Sequence, residues 1–466
     1  MKNESARVES EFESIDLEDP RLDRRARLIA SRLAERPGLS FPKVFDDSRE
    51  LEGFYRFLRN DHVDAQDLLA PHALNTVERI KAVGVALCVH DTTTFTFDGR
   101  QNLGIVEGSR RGFLAHCSVA FGLDGMPLGT LRVHTWQRDE SRPTPTKLRK
   151  QGKAQEVVAE MPSEMDRWGE SIAAVELLVA QPSTLIHLAD SEGDDYRLLS
   201  QLKEQDCRFV VRGCYDRRII DAEANLLKTR LRVGAPLANR SVKLEPRAKG
   251  ASKRNPPRDR RVAALEVRAA TVSIERPAKL PTDIAESIKV NVVYVSETAP
   301  PEGQLPVEWM LLTSEPIDTP EAVLAIIDMY RCRWIIEEFF KALKTGCAYE
   351  ARQLESFDTF DKALAFFIPV AWGLLRLRAL ERADSKRTVE DCFTPDQIAV
   401  LRAKSRTPVD TVADAFAVIA SIGGHIRNNG RPGWLVLWGR GVRDLLLLSQ
   451  GFALARQCLP AYSDQS

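Results

Sequence analysis

The chain has 466 residues, and its 66 lysines and arginines balance its 66 aspartates and glutamates, so its formal net charge is zero. Hydrophobic residues make up 44% and charged residues 28%, a mixture that excludes a wholly disordered or fibrous chain. A single core stops growing near roughly 250–300 residues, so this length predicts several domains. The neutral total argues against a uniformly basic nucleic-acid coat, but it leaves room for local basic patches.

Targeting signals and metal motifs are absent from the sequence. The opening residues lack the apolar core of a secretory signal. Apolar stretches such as 363–375 fall short of the roughly 18–20 residues that span a bilayer. The eight cysteines have no CxxC spacing, so they indicate neither a zinc site nor a redox motif. We therefore expect reduced, buried thiols in a cytoplasmic protein without a membrane partner.

The first 80 residues are predicted to form a helical domain rich in arginine. Apolar residues recur at helical spacing in DPRLDRRARLIASRLAE. A second amphipathic helix, SRELEGFYRFLRN, is predicted to begin with Ser48 as its cap. A third helix is predicted over 71–82.

A β-rich pattern begins near residue 83. Three short strands separated by turn residues predict a meander over 83–91, 113–122 and 127–136. Helix, strand, helix and strand then follow at 164–179, 184–190, 195–204 and 207–213. A meander followed by alternating elements predicts a mixed sheet with helices on its faces.

Residues 215–305 are predicted to form a β-rich insertion with a basic tip. Between Arg240 and Arg261, nine basic residues stand against two acidic ones, and three prolines and a glycine favour a loop or hairpin. A solvated charged loop is the alternative, which the one-sided charge weakens. A buried strand at 307–315 and a long helix from about Pro320 to Lys344 follow, and the remaining chain is predicted to be largely helical.

Three carboxylates stand out by their positions. Asp91 is predicted to end the first strand, Asp190 to end the strand TLIHLAD, and Glu337 to lie in the long helix. A turn or helix cap explains either aspartate alone, but two strand-end aspartates with a later helical acid form a more specific pattern. Carboxylate oxygens suit Mg²⁺. Two such ions about 3.5–4 Å apart can assist the attacking and the leaving oxygen in phosphoryl transfer.

The helix that carries Glu337 is predicted to place four polar residues on one face. At about 100° per residue, Tyr330, Arg333, Glu337 and Lys344 share an arc of about 60°. Glu338 lies roughly 100° from Glu337 and cannot replace it on that face. An ion-pair stripe is one interpretation, and a metal ligand flanked by phosphate-binding cations is the other.

This helix, YRCRWIIEEFFKALK, resembles the Tyr-x₂-Arg-x₃-Glu-x₆-Lys signature of the insertion-sequence-four family of DDE transposases. Other blocks resemble the family in the same order along nearly the whole chain: DPRLDRRARL, GFYRFLRN, HDTTTF, LADSEGDD, CRFVVR, EWMLLTSEP and RPGWLVLWGRG. The resemblance implies an α/β multidomain protein with a ribonuclease-H-like catalytic core over 81–365, which the β-rich insertion at about 215–305 interrupts. It also implies a helical N-terminal DNA-binding domain over 1–80 and a helical C-terminal dimerisation domain over 366–466.

The resemblance also implies roles for individual residues. Asp91, Asp190 and Glu337 would form the catalytic triad and bind two Mg²⁺ or Mn²⁺ ions per active site. Trp309 would stack on a flipped base, although a core tryptophan is the alternative. The implied DNA-contacting residues are Tyr330, Arg333, Lys344, Trp309, Arg208, Arg212, Arg27 and Arg56. Ser191 departs from the family, whose members often carry arginine directly after the second aspartate.

The implied activity is cut-and-paste DNA transposition in a bacterial cytoplasm, with the protein associated with the nucleoid when it is bound to DNA. A homodimer would pair two transposon ends, nick them, form and open a hairpin, and join the 3′ ends to target DNA. Two alternatives stay open. One is a nuclease of the same fold without strand transfer, and the other is an inactive DNA-binding derivative of a transposase.

Overall fold

The computed structural model describes residues 8–99, 102–138, 165–220, 225–244, 257–383, 386–426 and 430–458. The chain forms two compact units. The first unit comprises Met1–Val83, Thr92–Glu160 and Ile335–Ser466, and the second comprises Gly84–Asp91 and Met161–Trp334. Each unit combines separate stretches of chain, so it depends on contacts between residues that are far apart in sequence.

The first unit begins with the helices Pro20–Glu35, Phe41–Val44, Ser48–Leu58 and Ala65–Val83. The third helix is capped by Asp47, whose side chain accepts the amides of Arg49 and Glu50 at 2.8 Å. The prediction that Ser48 is the cap was therefore wrong by one residue. The fourth helix begins at Ala65, before the predicted start, and contains Pro71.

Four strands follow: β1 (Ala86–Thr96), β2 (Gly104–Glu107), β3 (Arg110–Gly122) and β4 (Pro127–Trp136). β3 is antiparallel to β2 and β4 and also neighbours β1, which confirms the meander and adds β2 to it. The prediction that the first strand ends at Asp91 was wrong. β1 continues through TTTFT, since threonine and phenylalanine both favour extended chain. Asp91 therefore lies within β1 and is the last residue of this strand that belongs to the second unit.

The helix Phe357–Ala383 forms the core of the first unit. Its Phe366 ring stacks on Phe12 with 5.4 Å between ring centroids, and its buried Trp372 donates to the Pro127 carbonyl at 3.1 Å. Among the described residues, only this helix is long and apolar enough to cross a membrane, but 83% of its apolar window is buried, as in the core of a globular protein. The unit's later helices are Ile335–Lys341, Pro395–Lys404, Val412–Ile422 and Arg443–Cys458, with π-helical segments at Ala342–Gly346 and Leu435–Val442.

The second unit is built on one sheet. Its strands after β1 are β5 (Leu185–Ala189), β6 (Arg208–Arg212), β7 (Ile219–Ile220), β8 (Ala238–Leu244), β9 (Arg261–Glu275), β10 (Ser287–Glu297) and β11 (Glu308–Thr313). The strand order is β1-β5-β6-β11-β10-β9-β7, and β8 pairs with β9. β1, β5 and β6 run parallel, whereas β11, β10 and β9 each run antiparallel to the strand before them in this order. This mixed sheet is consistent with a ribonuclease-H-like DDE domain.

The β-rich region at 215–305 widens this sheet, because β10 pairs directly with β11. The first and last residues of the basic stretch, Arg240 and Arg261, lie on β8 and β9 and form ion pairs. Arg240 contacts Asp328 at 2.7 Å, and Arg261 contacts Glu297. Residues 245–256, which include most of the predicted basic tip, lie outside the described residues.

The helices of the second unit are Asp166–Val179, Tyr196–Glu204, Leu227–Val233 and Pro320–Cys332. The prediction of one helix from Pro320 to Lys344 was wrong. The amides of Arg333 and Trp334 bond to carbonyls three residues back, those of Tyr330 and Arg331, so the helix tightens and ends there. A new helix begins at Ile335 and passes into a π-helical segment. The prediction that Tyr330, Arg333, Glu337 and Lys344 share one face assumed a single straight helix, so the angles hold only within each of the separate helices.

The described cysteines are free thiols, as the sequence predicts. Burial raises the pKa of Cys207 and of Cys347 to about 12, so both stay protonated at neutral pH. Cys214 is exposed and Cys332 is half-buried, so the prediction of buried thiols does not hold for these two residues.

Candidate active site

Asp91 and Asp190 lie at the same level of two neighbouring parallel strands. The register of β1 against β5 pairs Val89 with Leu188, and each aspartate follows its paired residue by two positions. Paired residues and those two positions further along point to the same face of a sheet. Because adjacent strands are about 5 Å apart, the register brings the two carboxylates together on one face of the second unit.

Asp91 is buried and paired with a cation. Its side chain is 11% exposed, and its Oδ2 accepts a hydrogen bond from Nη1 of Arg333 at 3.2 Å. The Arg333 side chain is 10% exposed. An ion pair with both partners buried is costly to break from one side, because the remaining charge loses its compensation. The structure thus brings together the first predicted acid and one of the predicted DNA-contacting cations.

Asp190 follows β5 directly and remains half-buried. Its Oδ1 accepts the amide of Glu192 at 2.8 Å, so it caps the short 3₁₀ helix Ser191–Gly193. The helix cap that the sequence offered as an alternative is therefore present. One oxygen in such a cap leaves the second free for another role, so the cap does not exclude a metal ligand.

Arg212, Tyr330 and Trp309 form a group beside these aspartates. The register of β5 against β6 continues from Ala189 and Val211 to Asp190 and Arg212, so these two residues share a level. Tyr330 is 5% exposed, burial raises its pKa, and its hydroxyl interacts with Arg212. The Tyr330 ring meets the half-buried Trp309 edge to face, with 5.6 Å between ring centroids. These predicted residues therefore meet on the aspartate face of the sheet.

Glu337 and Lys344 belong to the first unit. Burial lowers the pKa of Lys344, an effect that the nearby Glu350 and Glu337 carboxylates oppose. The Lys344 Nζ donates to the Thr94 carbonyl at 2.7 Å, which holds this lysine beside β1. Glu338 is occupied elsewhere, because it accepts hydrogen bonds from Trp434 Nε1 at 2.7 Å and from Lys341 at 2.8 Å. Glu337 is therefore the acid of this pair that remains available for a ligand.

The other predicted arginines lie in different surroundings. Arg208 makes a two-pronged ion pair with the buried Glu315, at 2.9 and 2.5 Å. Arg27 donates to the carbonyls of Phe12, Glu13 and Ile15 and so anchors the N-terminal segment. Arg56 is exposed and lines a surface hollow with Tyr55 and Arg59. The roles of all three in DNA binding stay predictions.

Sequence reasoning missed a hydrogen-bonded chain on the opposite face of β1 and β5, made of the buried His90 and His187 and the half-buried Glu176. Glu176 Oε1 lies 2.7 Å from His187 Nε2, and His187 Nδ1 lies 2.8 Å from His90 Nε2. The chain links the two strands that carry Asp91 and Asp190. Cys88 lies beside both histidines, with ligand atoms within 4.8 Å of one another. The pairing of Cys88 with His187 across β1 and β5 places these side chains together, and this pairing cannot be seen in the sequence.

The donors at the candidate site fit a divalent metal ion. Asp91 and Asp190 of the second unit offer carboxylate oxygens, the hard ligands that Mg²⁺ and Mn²⁺ prefer, and Glu337 of the first unit is an acid of the same type. The guanidinium of Arg333 supplies beside Asp91 the positive charge that a buried carboxylate requires. Asp91 and Asp190 therefore have the donor chemistry that a divalent cation requires.

Two family matches agree with this geometry. The family described as Transposase DNA-binding matches residues 4–63, and the family described as Transposase DDE domain matches residues 169–368. The chain carries both domains of a DDE transposase. The DDE match includes Asp190 and Glu337, and it implies the use of divalent metal ions and a DNA partner. Asp91 lies before the matched residues, so its inclusion depends on the strand register.

Proposed function

We propose that this DDE transposase performs cut-and-paste transposition with Asp91, Asp190 and Glu337 as its catalytic triad. The observation that carries the proposal is the register that aligns Asp91 with Asp190 on one face of parallel strands. The signature YRCRWIIEEFFKALK further supports membership of the insertion-sequence-four group and a likeness to the transposon-five transposase. We assign two Mg²⁺ or Mn²⁺ ions to the triad.

In this proposal the bound ions would supply charge stabilisation and a nucleophilic water for in-line phosphoryl transfer. The residues of the chain position the DNA. Arg212 and Arg333 lie beside the aspartates and compensate the negative charge of the phosphate groups, while the carboxylates would hold the metal ions. The half-buried Trp309 offers its ring face to a base that leaves the helical stack during hairpin formation.

The order of events follows from repeated use of one site. A first transfer nicks the transposon end, the freed 3′-hydroxyl attacks the opposite strand to form a hairpin, and a second hydrolysis opens it. The 3′ ends then attack target DNA. We assign pairing of the two ends to a homodimer through residues 366–466, end binding to residues 1–80 and catalysis to 81–365, in the cytoplasm of a bacterium.

The triad is tested by the variants Asp91→Asn, Asp190→Asn and Glu337→Gln. Each removes a negative oxygen ligand at nearly constant volume, so we expect cleavage of transposon-end DNA with Mg²⁺ to fall at least about 10²-fold. Binding of the same DNA in an electrophoretic mobility-shift assay should stay close to wild type.

Glu338→Gln is the matched control for Glu337→Gln, because it changes the adjacent acid that is bonded to Trp434 and Lys341. Full cleavage by any triad variant would contradict the assignment. Joined products from wild-type protein separate a transposase from a nuclease of the same fold, and uncleaved DNA would indicate an inactive derivative.

A further inference from the structure

The C-terminal helices enclose a basic cavity of about 740 Å³ that has no part in the proposed active site. Its charged lining comes from three segments of the first unit: the helix Phe357–Ala383, the chain at 404–414 and the chain at 430–432. Five cations, Arg378, Arg382, Lys404, Arg406 and Arg431, line it against two carboxylates, those of Glu381 and Asp414. Cations from separate segments therefore converge on one space.

Arg378 supplies an independent observation. Its residue is 9% exposed, and its Nε and Nη1 atoms are buried without a hydrogen-bond partner. Its other contacts are Nη2 at 3.4 Å from the Pro432 carbonyl, Nε at 3.7 Å from a Glu338 oxygen, and the guanidinium carbon at 5.0 Å from the centroid of the Trp434 ring, none of which gives Nε or Nη1 a hydrogen-bond acceptor. A buried guanidinium with unused donors is costly, and a ligand that accepts hydrogen bonds would relieve that cost.

The two carboxylates do not neutralise the cavity. Asp414 accepts hydrogen bonds from the Thr411 amide and hydroxyl in a helix cap, which lowers its pKa and directs it to its own helix. Glu381 remains as the acid opposite Arg378, Arg382 and Arg431. Ser405 and Thr407 add hydroxyl groups to the same lining. The cavity therefore has a net positive charge and an excess of donors.

We propose that this cavity binds phosphate groups of the DNA backbone, as a site separate from residues 1–80 and from the triad. Guanidinium groups match phosphate oxygens in pairs, and several of them around one space suit a ligand with more than one negative charge. The cavity lies in the size range of pockets that enclose a whole small ligand, roughly 300–1,000 Å³. It therefore accommodates a nucleotide unit of a strand. DNA as the phosphate source rests on the proposed function, whereas phosphate binding itself does not.

The test uses the full chain and two double variants that each remove two exposed positive charges. Arg382→Gln with Arg406→Gln changes the cavity. Arg402→Gln with Arg456→Gln is the control, since these arginines pair with Glu390 and Asp396 outside it. Calorimetric titration with inorganic pyrophosphate should show one site in the wild-type protein, weakened at least about tenfold in the cavity variant and unchanged in the control.

The second measurement is the salt dependence of binding to a duplex oligonucleotide. We expect the slope of log K against log salt to shrink by about 0.9 for each phosphate that the cavity variant no longer neutralises, beyond any change in the control. Equal pyrophosphate binding by the two double variants would overturn the site. Weakened pyrophosphate binding with unchanged DNA slopes would overturn DNA as the source. Wild-type protein that binds pyrophosphate but does not cleave transposon ends would count against the proposed function alone.

Discussion

At the scale of single residues, the ion pair of Asp91 with Arg333 explains how a buried carboxylate is tolerated in the fold. Both side chains are about nine-tenths buried, so neither charge is stable there alone. Removing one partner of such a pair costs about 3–5 kcal/mol, because the other charge stays buried. A divalent ion at Asp91 could take over this compensation.

Arg333→Gln is therefore expected to lower the thermal midpoint of the protein without metal and to make that midpoint respond to Mg²⁺. Glutamine removes the charge beside Asp91, and bound Mg²⁺ restores a positive charge at that carboxylate. Scanning calorimetry with and without Mg²⁺ measures both effects. Arg331→Gln is the control, because Arg331 is exposed and pairs with Asp328 on the same helix. A midpoint that ignores Mg²⁺ in Arg333→Gln would argue against metal binding at Asp91.

Trp309→Ala is expected to slow hairpin formation more than the first nick. Stacking of a flipped base on an aromatic ring contributes about 1–3 kcal/mol, and in the proposed mechanism the base leaves the stack at the hairpin step. This variant also removes the ring that packs against Tyr330, so Trp309→Phe, which keeps an aromatic face, is the control. Single-turnover assays that resolve nicked and hairpin DNA provide the two rates, and equal losses at both steps would contradict base stacking.

At the scale of elements, the helix Phe357–Ala383 contains an acid in an unfavourable place. Asp361 accepts a hydrogen bond from Thr135 of β4 at 2.8 Å, but burial raises its pKa to about 6. The carboxyl group is thus more readily protonated in the folded chain than in the unfolded one. Its ionisation opposes folding, and this penalty grows as the pH rises from about 4 to about 6.

Asp361→Asn is expected to stabilise the protein at pH 8 and to leave its stability unchanged below pH 4. A pKa raised by about two units corresponds to at most about 3 kcal/mol, and asparagine keeps an acceptor for Thr135. Thermal midpoints of the variant and the wild type, measured from pH 4 to pH 8, test whether the difference in stability develops between about pH 4 and pH 6. Asp358→Asn is the control, because its side chain is 60% exposed and paired with Lys362. A pH-independent difference between Asp361→Asn and the wild type would contradict the burial argument.

At the scale of the whole molecule, a net charge of zero is the sum of opposed patches. Exposed arginines of the first 80 residues and the cations of the C-terminal cavity oppose acids that lie elsewhere, three of which we assign to metal binding. Attraction to DNA depends on the local patch, since the Debye length is about 8 Å at physiological salt. Neutrality therefore does not argue against a DNA partner.

DNA binding by this neutral protein is expected to depend steeply on salt. Each phosphate contact contributes about −0.9 to the slope of log K against log salt. Arg56→Gln should reduce the slope by about one contact, whereas Arg27→Gln should lower stability, since Arg27 holds the carbonyls of Phe12, Glu13 and Ile15. Fluorescence anisotropy over a salt series measures the slopes. A slope near zero for the wild type would overturn this account of its charge.

Local patterns predicted most elements of this protein because their causes are local. The strands that carry Cys88, His187 and Val210 lie where alternation and β-branched residues placed them, and the helix Tyr196–Glu204 follows its cap Asp195. The patterns failed where distant contacts decide the outcome. Nothing near Arg333 in sequence shows that its guanidinium pairs with Asp91, and the tight turn that ends its helix was missed for the same reason.

The sequence by itself predicted most of the elements, their order and the three candidate acids, since spacing and residue type are properties of the chain alone. Only the tertiary structure decided that Asp91 and Asp190 share a level and a face, because strand register depends on which strands pair. It also decided that Arg208 and Arg27 are held by Glu315 and by backbone carbonyls, while Arg378 keeps unused donors in a cavity. Whether a cation finds hydrogen-bond or ion-pair partners within the fold depends on its neighbours in space, and the sequence does not show which residues these are.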